Sequence, residues 1–251
     1  MKRHLTILTG ASRGMGLAMA QQLLTPGALV LCISRNRNAT LDPLARQQGA
    51  ELAQWEVDLA DASAVLAPLE AWLQAQGSTQ WASATLINNA AAIPALVPLC
   101  DSKADDLVRA LRVGLEAPML LTAAFLYATE RWNCPRKVLN ISSGLGRRAM
   151  ASSSAYCAAK AGMDHFTRCV ALDEARKPHG AKVCSLAPGV IDTDMQVQLR
   201  QSDPQQFPDV ALFQGMHLQH QLTSAPDAAL RVLAFLAKPD FGQDPIGDVR
   251  E

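Results

Sequence analysis

The stretch Leu5-Thr6-Ile7-Leu8-Thr9-Gly10-Ala11-Ser12-Arg13-Gly14-Met15-Gly16 constrains the fold more than any other part of the chain. Its first five residues are apolar or β-branched, the pattern of a buried strand. The run stops at Gly10, and Gly14 and Gly16 come just before Leu17–Leu24, whose apolar residues recur at helical spacing. In such a turn Gly10 can bend sharply, Gly14 lets backbone approach a diphosphate, and Gly16 lets the helix pack closely. The unpaired amides at the helix start would then face the phosphates. A plain tight turn could use the same glycines, but a strand before and a helix after favour the nucleotide.

The rest of the chain repeats this alternation. Strands are expected at 28–34, 51–57, 85–88, 137–142 and 182–187, with an edge strand at 246–250. Helices are expected at about 40–48, 61–76, 101–131, 154–175 and 225–236, the second containing Pro68 and so either starting late or bending there. Ser153 or Ser154 can cap the helix that ends near Ala175. Residues 77–84 read as polar loop, and 190–222, glutamine-rich with Pro204 and Pro208, as a substrate lid. Near-continuous apolar strands between helices mean an α/β fold, a doubly wound parallel sheet in three α/β/α layers. No repeat or linker divides residues 1–251, so one domain is expected.

Composition narrows the partners. Lysine plus arginine and aspartate plus glutamate both number 23, so no broad charge draws the chain to nucleic acid or an acidic membrane. No apolar run reaches membrane-spanning length on this reading, and the first strand begins within about four residues of the amino terminus, leaving no room for a signal peptide. The six cysteines show no metal-ligand spacing and are expected to be reduced, which points to a cytoplasmic protein. No metal is expected: His217 and His220 have no carboxylate or thiol arranged with them.

The end of the second strand bears on which nucleotide binds. An acidic residue there would hold the ribose hydroxyls of NAD. Ser34-Arg35 takes that place, with Arg37 close behind and Arg13 in the glycine loop. Paired guanidinium groups suit a 2'-phosphate, which a carboxylate would repel. Asp58, closing the third strand, either accepts from an adenine amino group or caps a turn.

Tyr156 and Lys160 are four apart in a helical stretch and share a face. A tyrosine is a poor acid or base near neutrality, and a nearby ammonium favours its phenolate. Ser143, just past the fifth strand, could hold a substrate oxygen opposite the tyrosine. Arg147-Arg148 could meet an anionic substrate or face water.

These motifs together resemble the short-chain dehydrogenase/reductase family, over Leu5 to Gly189. Thr9 to Gly16 resembles the family's cofactor loop and Asn88-Asn89-Ala90 its sheet-stabilising segment. Asn140-Ile141-Ser142-Ser143 followed by Tyr156-Cys157-Ala158-Ala159-Lys160 resembles its active-site motif, and Pro188-Gly189 with Thr193 its nicotinamide-side loop. Leu115–Thr122 and the Asp248-Val249-Arg250-Glu251 ending look most like the sepiapterin reductase and benzil reductase branch.

The resemblance implies a Rossmann-type fold and NADP(H)-dependent reduction of a small ketone, aldehyde or dicarbonyl, with Ser143, Tyr156 and Lys160 catalytic. Cofactor contacts are implied for Gly10, Ser12, Arg13, Gly14, Met15 and Gly16 in the loop. They are implied likewise for Ser34 and Arg35, for Asp58 and Leu59, for Asn89 and Ala90, and for Tyr156 and Lys160. Pro188, Gly189, Val190 and Thr193 complete the set, the threonine reaching the carboxamide. It also implies a homodimer or homotetramer, paired through the helices at 101–131 and 153–175. Two departures stand out. Gly114 replaces the asparagine that usually supports a water leading to the lysine, and Ala91 replaces a common glycine. The alternatives are a non-catalytic NADPH-binding partner and a nucleotide-dependent lyase or epimerase on the same fold.

Overall fold

The computed structural model describes residues 3–251. Seven parallel strands form one sheet in the order β3-β2-β1-β4-β5-β6-β7. The strands are β1 (Arg3–Thr9), β2 (Leu29–Ser34), β3 (Glu51–Glu56), β4 (Trp81–Asn88), β5 (Arg136–Ile141), β6 (Lys182–Ala187) and β7 (Ile246–Asp248). Helices α1 (Gly14–Leu23), α2 (Leu41–Gln48), α3 (Ser63–Ala75), α4 (Ala104–Leu111), α5 (Ala117–Thr129), α6 (Ser154–Ala175), α7 (Asp194–Gln201), α8 (Val210–Leu218) and α9 (Ala225–Ala237) connect them.

The near-continuous apolar strands follow from burial on both sheet faces. Side chains alternate along a strand, so Val30 and Cys32 enter one core with residues of α1, α2 and α9. Their neighbours Leu29, Leu31 and Ile33 enter the other, with residues of α3 and α5. The strand order reverses between β1 and β4, and their carboxyl ends part there to open a crevice.

Three parts of the fold differ from the sequence reading. β4 starts at Trp81 rather than at 85, because Ser83 and Ala84 pair with His4 and Leu5 of β1 and the Trp81 ring is buried against Trp132. The small and polar residues before Thr85 gave no apolar run to signal it. α3 starts at Ser63 and runs through Pro68. The segment after β6 is mostly helical: α7 and α8 share a small core of Leu96, Leu199, Phe207, Val210 and Phe213. Its two ends meet in a bridge between Ile191 and Thr223.

Residues 104–129 run as one helical stretch, with a π-helical turn at Arg112–Glu116 joining α4 to α5. This stretch is long and apolar enough to cross a membrane by length and composition, unlike the sequence reading, and half of its most apolar window is buried inside the fold. That burial is the mark of a core helix.

Candidate active site

The carboxyl ends of β1, β2, β4, β5 and β6 surround a cavity of about 660 Å³. All the residues assigned above to cofactor and catalysis line it: Gly10, Ser12, Arg13, Gly14, Met15 and Gly16 of the glycine loop, Ser34 and Arg35, Asp58 and Leu59, Asn89 and Ala90, Ser143, Tyr156 and Lys160, and Pro188, Gly189, Val190 and Thr193.

The loop after β1 is held from several sides. Gly10 has φ 71°, and a Cβ there would come within 2.9 Å of the Ala90 backbone. At Gly16 a Cβ would overlap the Gly10 carbonyl oxygen, so this glycine packs the start of α1 onto its own loop. The Asn89 side chain donates to Thr9 O at 3.0 Å, while Thr9 Oγ1 accepts from the amides of Asn89 and Ala90, both at 2.9 Å. Ser34 Oγ accepts from Ala11 N at 2.8 Å, so its hydroxyl braces the loop. No side chain caps the start of α1, leaving its first-turn amides toward the cavity. A dinucleotide's diphosphate fits this bare cradle.

The charged groups are placed less simply. Arg13 Nη1 is 2.8 Å from Asp194 Oδ2 across the cavity mouth. Arg37 turns to Asp42, at 3.4 Å, and does not line the cavity. Arg35 is exposed at the rim with no hydrogen bond or close ion pair among the described residues. Asp58 does cap a turn, accepting from Ala60 N at 3.0 Å, and also pairs with Arg109 Nη2 at 3.0 Å. The amide bond leads in holding its carboxyl below the usual range, helped by Arg109 and Arg35 and opposed by partial burial. Arg109, on α4, escaped the sequence reading because nothing local in a helical stretch marks a residue that reaches the turn after β3. Arg147 does not line the cavity; it is exposed, and its Nε donates to buried Asp164 at 3.3 Å and its Nη2 to Gly247 O at 2.8 Å. Arg148 does line the cavity, at its exposed rim.

Ser143, Tyr156 and Lys160 meet on one wall. Ser143 Oγ accepts from Leu145 N at 3.2 Å, and its hydroxyl beside Tyr156 draws the phenol's pKa down. Lys160, 2% exposed, donates from Nζ to Ile141 O at 2.7 Å and lies 5.8 Å from the centre of the Tyr156 ring. Burial pushes the phenol up to about 12, against a downward pull from Ser143. Burial also pulls the lysine down to about 8, with Asp164 opposing. Here the ammonium is committed to the Ile141 carbonyl, and burial governs the phenol. Behind them Asn88 donates to Asn140 at 2.8 Å, and Asn140 to Thr167 at 2.9 Å, which ties β4, β5 and α6 together.

Gly114 sits in the π-helical turn, and a Cβ there would be 3.1 Å from Ala159 Cβ, beside Lys160. The glycine therefore lets the α4–α5 stretch approach α6, and any side chain at this position must displace Ala159. Ala91 lines the cavity next to Ala90. Several lining residues carry no motif, among them Gln196 and Ser153; Ser153 stands at the start of α6 but its side chain makes no cap hydrogen bond.

Comparison with known proteins places this geometry. The family described as short chain dehydrogenase matches residues 4–204. The chain belongs to the short-chain dehydrogenase family. Family membership makes it an oxidoreductase that uses NAD or NADP and acts on small molecules. It is 32% identical over 240 residues to a benzil reductase ((S)-benzoin forming) of Bacillus cereus, covering 96% of each chain. A sepiapterin reductase of Xenopus laevis is 32% identical over 202 residues, 76% of this chain and 74% of that one. A solved short-chain dehydrogenase/reductase from Burkholderia vietnamiensis is 32% identical, with a TM-score of 0.66 over 100% of this chain and 98% of that one. Among solved structures of this fold, some are complexes with NAD and others with NADP.

Proposed function

We propose that the protein reduces a small ketone, aldehyde or dicarbonyl to the alcohol with NADPH, using Ser143, Tyr156 and Lys160. The observation that carries this reading is the Ser143–Tyr156–Lys160 wall facing the same cavity as the bare amides of α1. A reduced nicotinamide, when bound, supplies hydride to the carbonyl carbon. A phenol held near 12 is protonated at neutral pH, the form needed to donate a proton to the developing alkoxide. Ser143 shares the Tyr156 hydroxyl and donates to the substrate oxygen when that oxygen arrives. Lys160, beneath the ring and close to neutrality, reprotonates the spent tyrosine and holds the nicotinamide ribose. The proton leaves Tyr156 for the substrate oxygen and returns from solvent by way of Lys160, so the site resets once each turnover.

The preference for NADPH rests on Arg35 and Arg13 at the rim and on the lack of an acid after β2. The apolar wall of Ile93, Leu96, Leu145, Met150, Leu199 and Phe213 suits a mostly apolar substrate, and the kinship with a benzil reductase and a sepiapterin reductase favours carbonyl reduction over the lyase and partner-protein alternatives. α4, α5 and α6 leave Val108, Leu111, Met119, Tyr127 and Leu172 exposed, which supports pairing of two copies through these helices. The whole of 3–251 acts as one unit on this account, with α7 and α8 as its substrate lid. The test is NADPH oxidation followed by absorbance across a panel of carbonyl compounds. Tyr156→Phe should lose roughly 10²–10⁴-fold in turnover while NADPH affinity stays close to wild type. A panel with no turnover despite tight NADPH binding would move the reading to the partner protein.

A further inference from the structure

Asp164 is a buried carboxylate that the proton transfer above does not use. It lies one turn after Lys160 on the same face of α6, and both residues are 2% exposed. Its Oδ1 accepts from Ser185 Oγ of β6 at 2.7 Å and its Oδ2 from Arg147 Nε at 3.3 Å. Gly146 lets the loop that carries Ser143 press onto this turn of the helix, since a Cβ there would lie 2.9 Å from Lys160 O and 3.0 Å from Asp164 Oδ2. Arg147 also reaches β7, donating to Gly247 O at 2.8 Å, with its Nη1 3.9 Å from Asp248 Oδ2.

A tie between strand and helix does not need a charge. One turn further along α6, Thr167 is joined to Asn140, and through it to Asn88, by neutral groups alone. A buried carboxylate costs more to desolvate than these, so its charge calls for a cation. Arg147 meets it incompletely: the contact is long, its side chain is 31% exposed where solvent screens it, and Asp248 shares it. Lys160 is the buried cation on the same face. Its Nζ meets Ile141 O at 2.7 Å and Met163 Sδ at 4.0 Å and, among the described residues, makes no close ion pair. Tyr156 also faces the lysine, its phenol kept neutral by burial, while the turn at Gly114 brings no side chain. Arg112, Glu116, Arg148, His165 and Arg168 are exposed. Beside Asp164, burial pushes the Cys184 thiol of β6 up to about 12, so it carries no charge, and Asp248 has Arg250 as its own partner.

We propose that Asp164 is the counter-charge of Lys160, and that Arg147, by sharing this carboxylate, ties the Ser143 loop and the carboxyl-terminal strand to the charge of the lysine. Asp164 touches no reacting atom; it is a positioning residue that acts through Lys160. Its field favours the ammonium that burial opposes, and so keeps Lys160 able to return a proton to Tyr156. Arg147 works in the other direction, drawing on the same carboxylate from the solvent side. The catalytic part of this assignment rests on the reductase reading above; the pairing of the charges does not.

The experiment follows the Lys160 side chain against pH by NMR in the full chain, with lysine labelled at Cε and the resonance identified by its absence in Lys160→Met. Wild type should titrate at about 8. Asp164→Asn keeps a hydrogen-bonding group toward both Ser185 and Arg147 but no charge, and should move the midpoint down by about one pH unit. Arg147→Gln leaves the carboxylate unshared and should move the midpoint up. Ser185→Ala loosens the same cluster without changing its charge, so it should lower Tm and keep the wild-type midpoint. A merely structural role would move Asp164→Asn and Arg147→Gln in the same direction. That result, or a midpoint unmoved in Asp164→Asn, overturns the proposal. If Asp164→Asn does not fold, Arg147→Gln decides, and any result other than an upward shift overturns it. The alkaline limit of kcat for carbonyl reduction should follow the same opposite shifts; a limit that stays while the resonance moves overturns the positioning role. Opposite shifts in a protein that reduces no carbonyl support the counter-charge and overturn the reductase reading.

Discussion

Asp194 should restrain NADPH binding, and its removal should tighten that binding. The Arg13–Asp194 pair spans 2.8 Å, with the two side chains 69% and 73% exposed. An exposed pair of this kind contributes about 0–1 kcal/mol, and a 2'-phosphate that draws on Arg13 must compete with it. Arg35 has no such partner to give up. A hydrogen bond to a charged group contributes about 1.5–3 kcal/mol, and solvent exposure at the rim cuts that by roughly half. Arg35→Ala should therefore weaken NADPH binding by about 5–10-fold, and Arg13→Ala by less, because wild-type Arg13 first surrenders Asp194. Asp194→Asn frees Arg13 and should tighten NADPH by up to about 5-fold, with a smaller gain for NADH, which lacks the phosphate. Titrating both reduced cofactors by fluorescence against wild type and the three variants supplies every value. In the Arg13→Ala background the Asp194→Asn gain should shrink. Equal losses for NADPH and NADH in Arg35→Ala, or weaker NADPH binding in Asp194→Asn, would refute the reasoning.

Three further predictions follow from the packing and titration of the site. Gly16→Ala forces a methyl into the Gly10 carbonyl and should lower Tm and cofactor affinity together, whereas Gly144→Ala, where a Cβ meets nothing within 4 Å, should leave Tm within error of wild type by calorimetry. Burial holds the folded-state pKa of Lys160 at about 8, below its unfolded value of 10.5. The cost of burying its charge is thus fully present below pH 8 and fades as pH rises towards 10.5, so wild type should gain Tm relative to Lys160→Met across that window. Gly114→Asn alone must push Ala159 aside and should lower Tm, and Gly114→Asn combined with Ala159→Gly should recover it with turnover at or above wild type.

The parts of this site legible in the sequence are those fixed by local backbone demands. Gly10 and Gly16 announce themselves because no other residue fits their positions, and Tyr156 and Lys160 because a helix sets their spacing. The strand pattern was legible where both faces are apolar, as in β2 and β6. It failed at the start of β4, where Ser83 and Ala84 pair with β1 and no apolar run marks the strand. The glutamine-rich residues of α7 and α8 hid two helices whose small core depends on Leu96, about a hundred residues earlier. Arg109 was illegible for a related reason: it acts through Asp58, a neighbour remote in sequence, and no spacing rule encodes that.

The central claim is that Tyr156 protonates a carbonyl oxygen as NADPH is consumed. The most direct measurement is a single-turnover reaction of NADPH with 1-phenylpropane-1,2-dione, followed by absorbance in wild type and in Tyr156→Phe at matched cofactor saturation. The account predicts stoichiometric NADPH loss with alcohol formation in wild type, and a rate lower by roughly 10²–10⁴-fold in the variant. Equal rates in the two proteins would contradict it, as would alcohol formed without loss of NADPH.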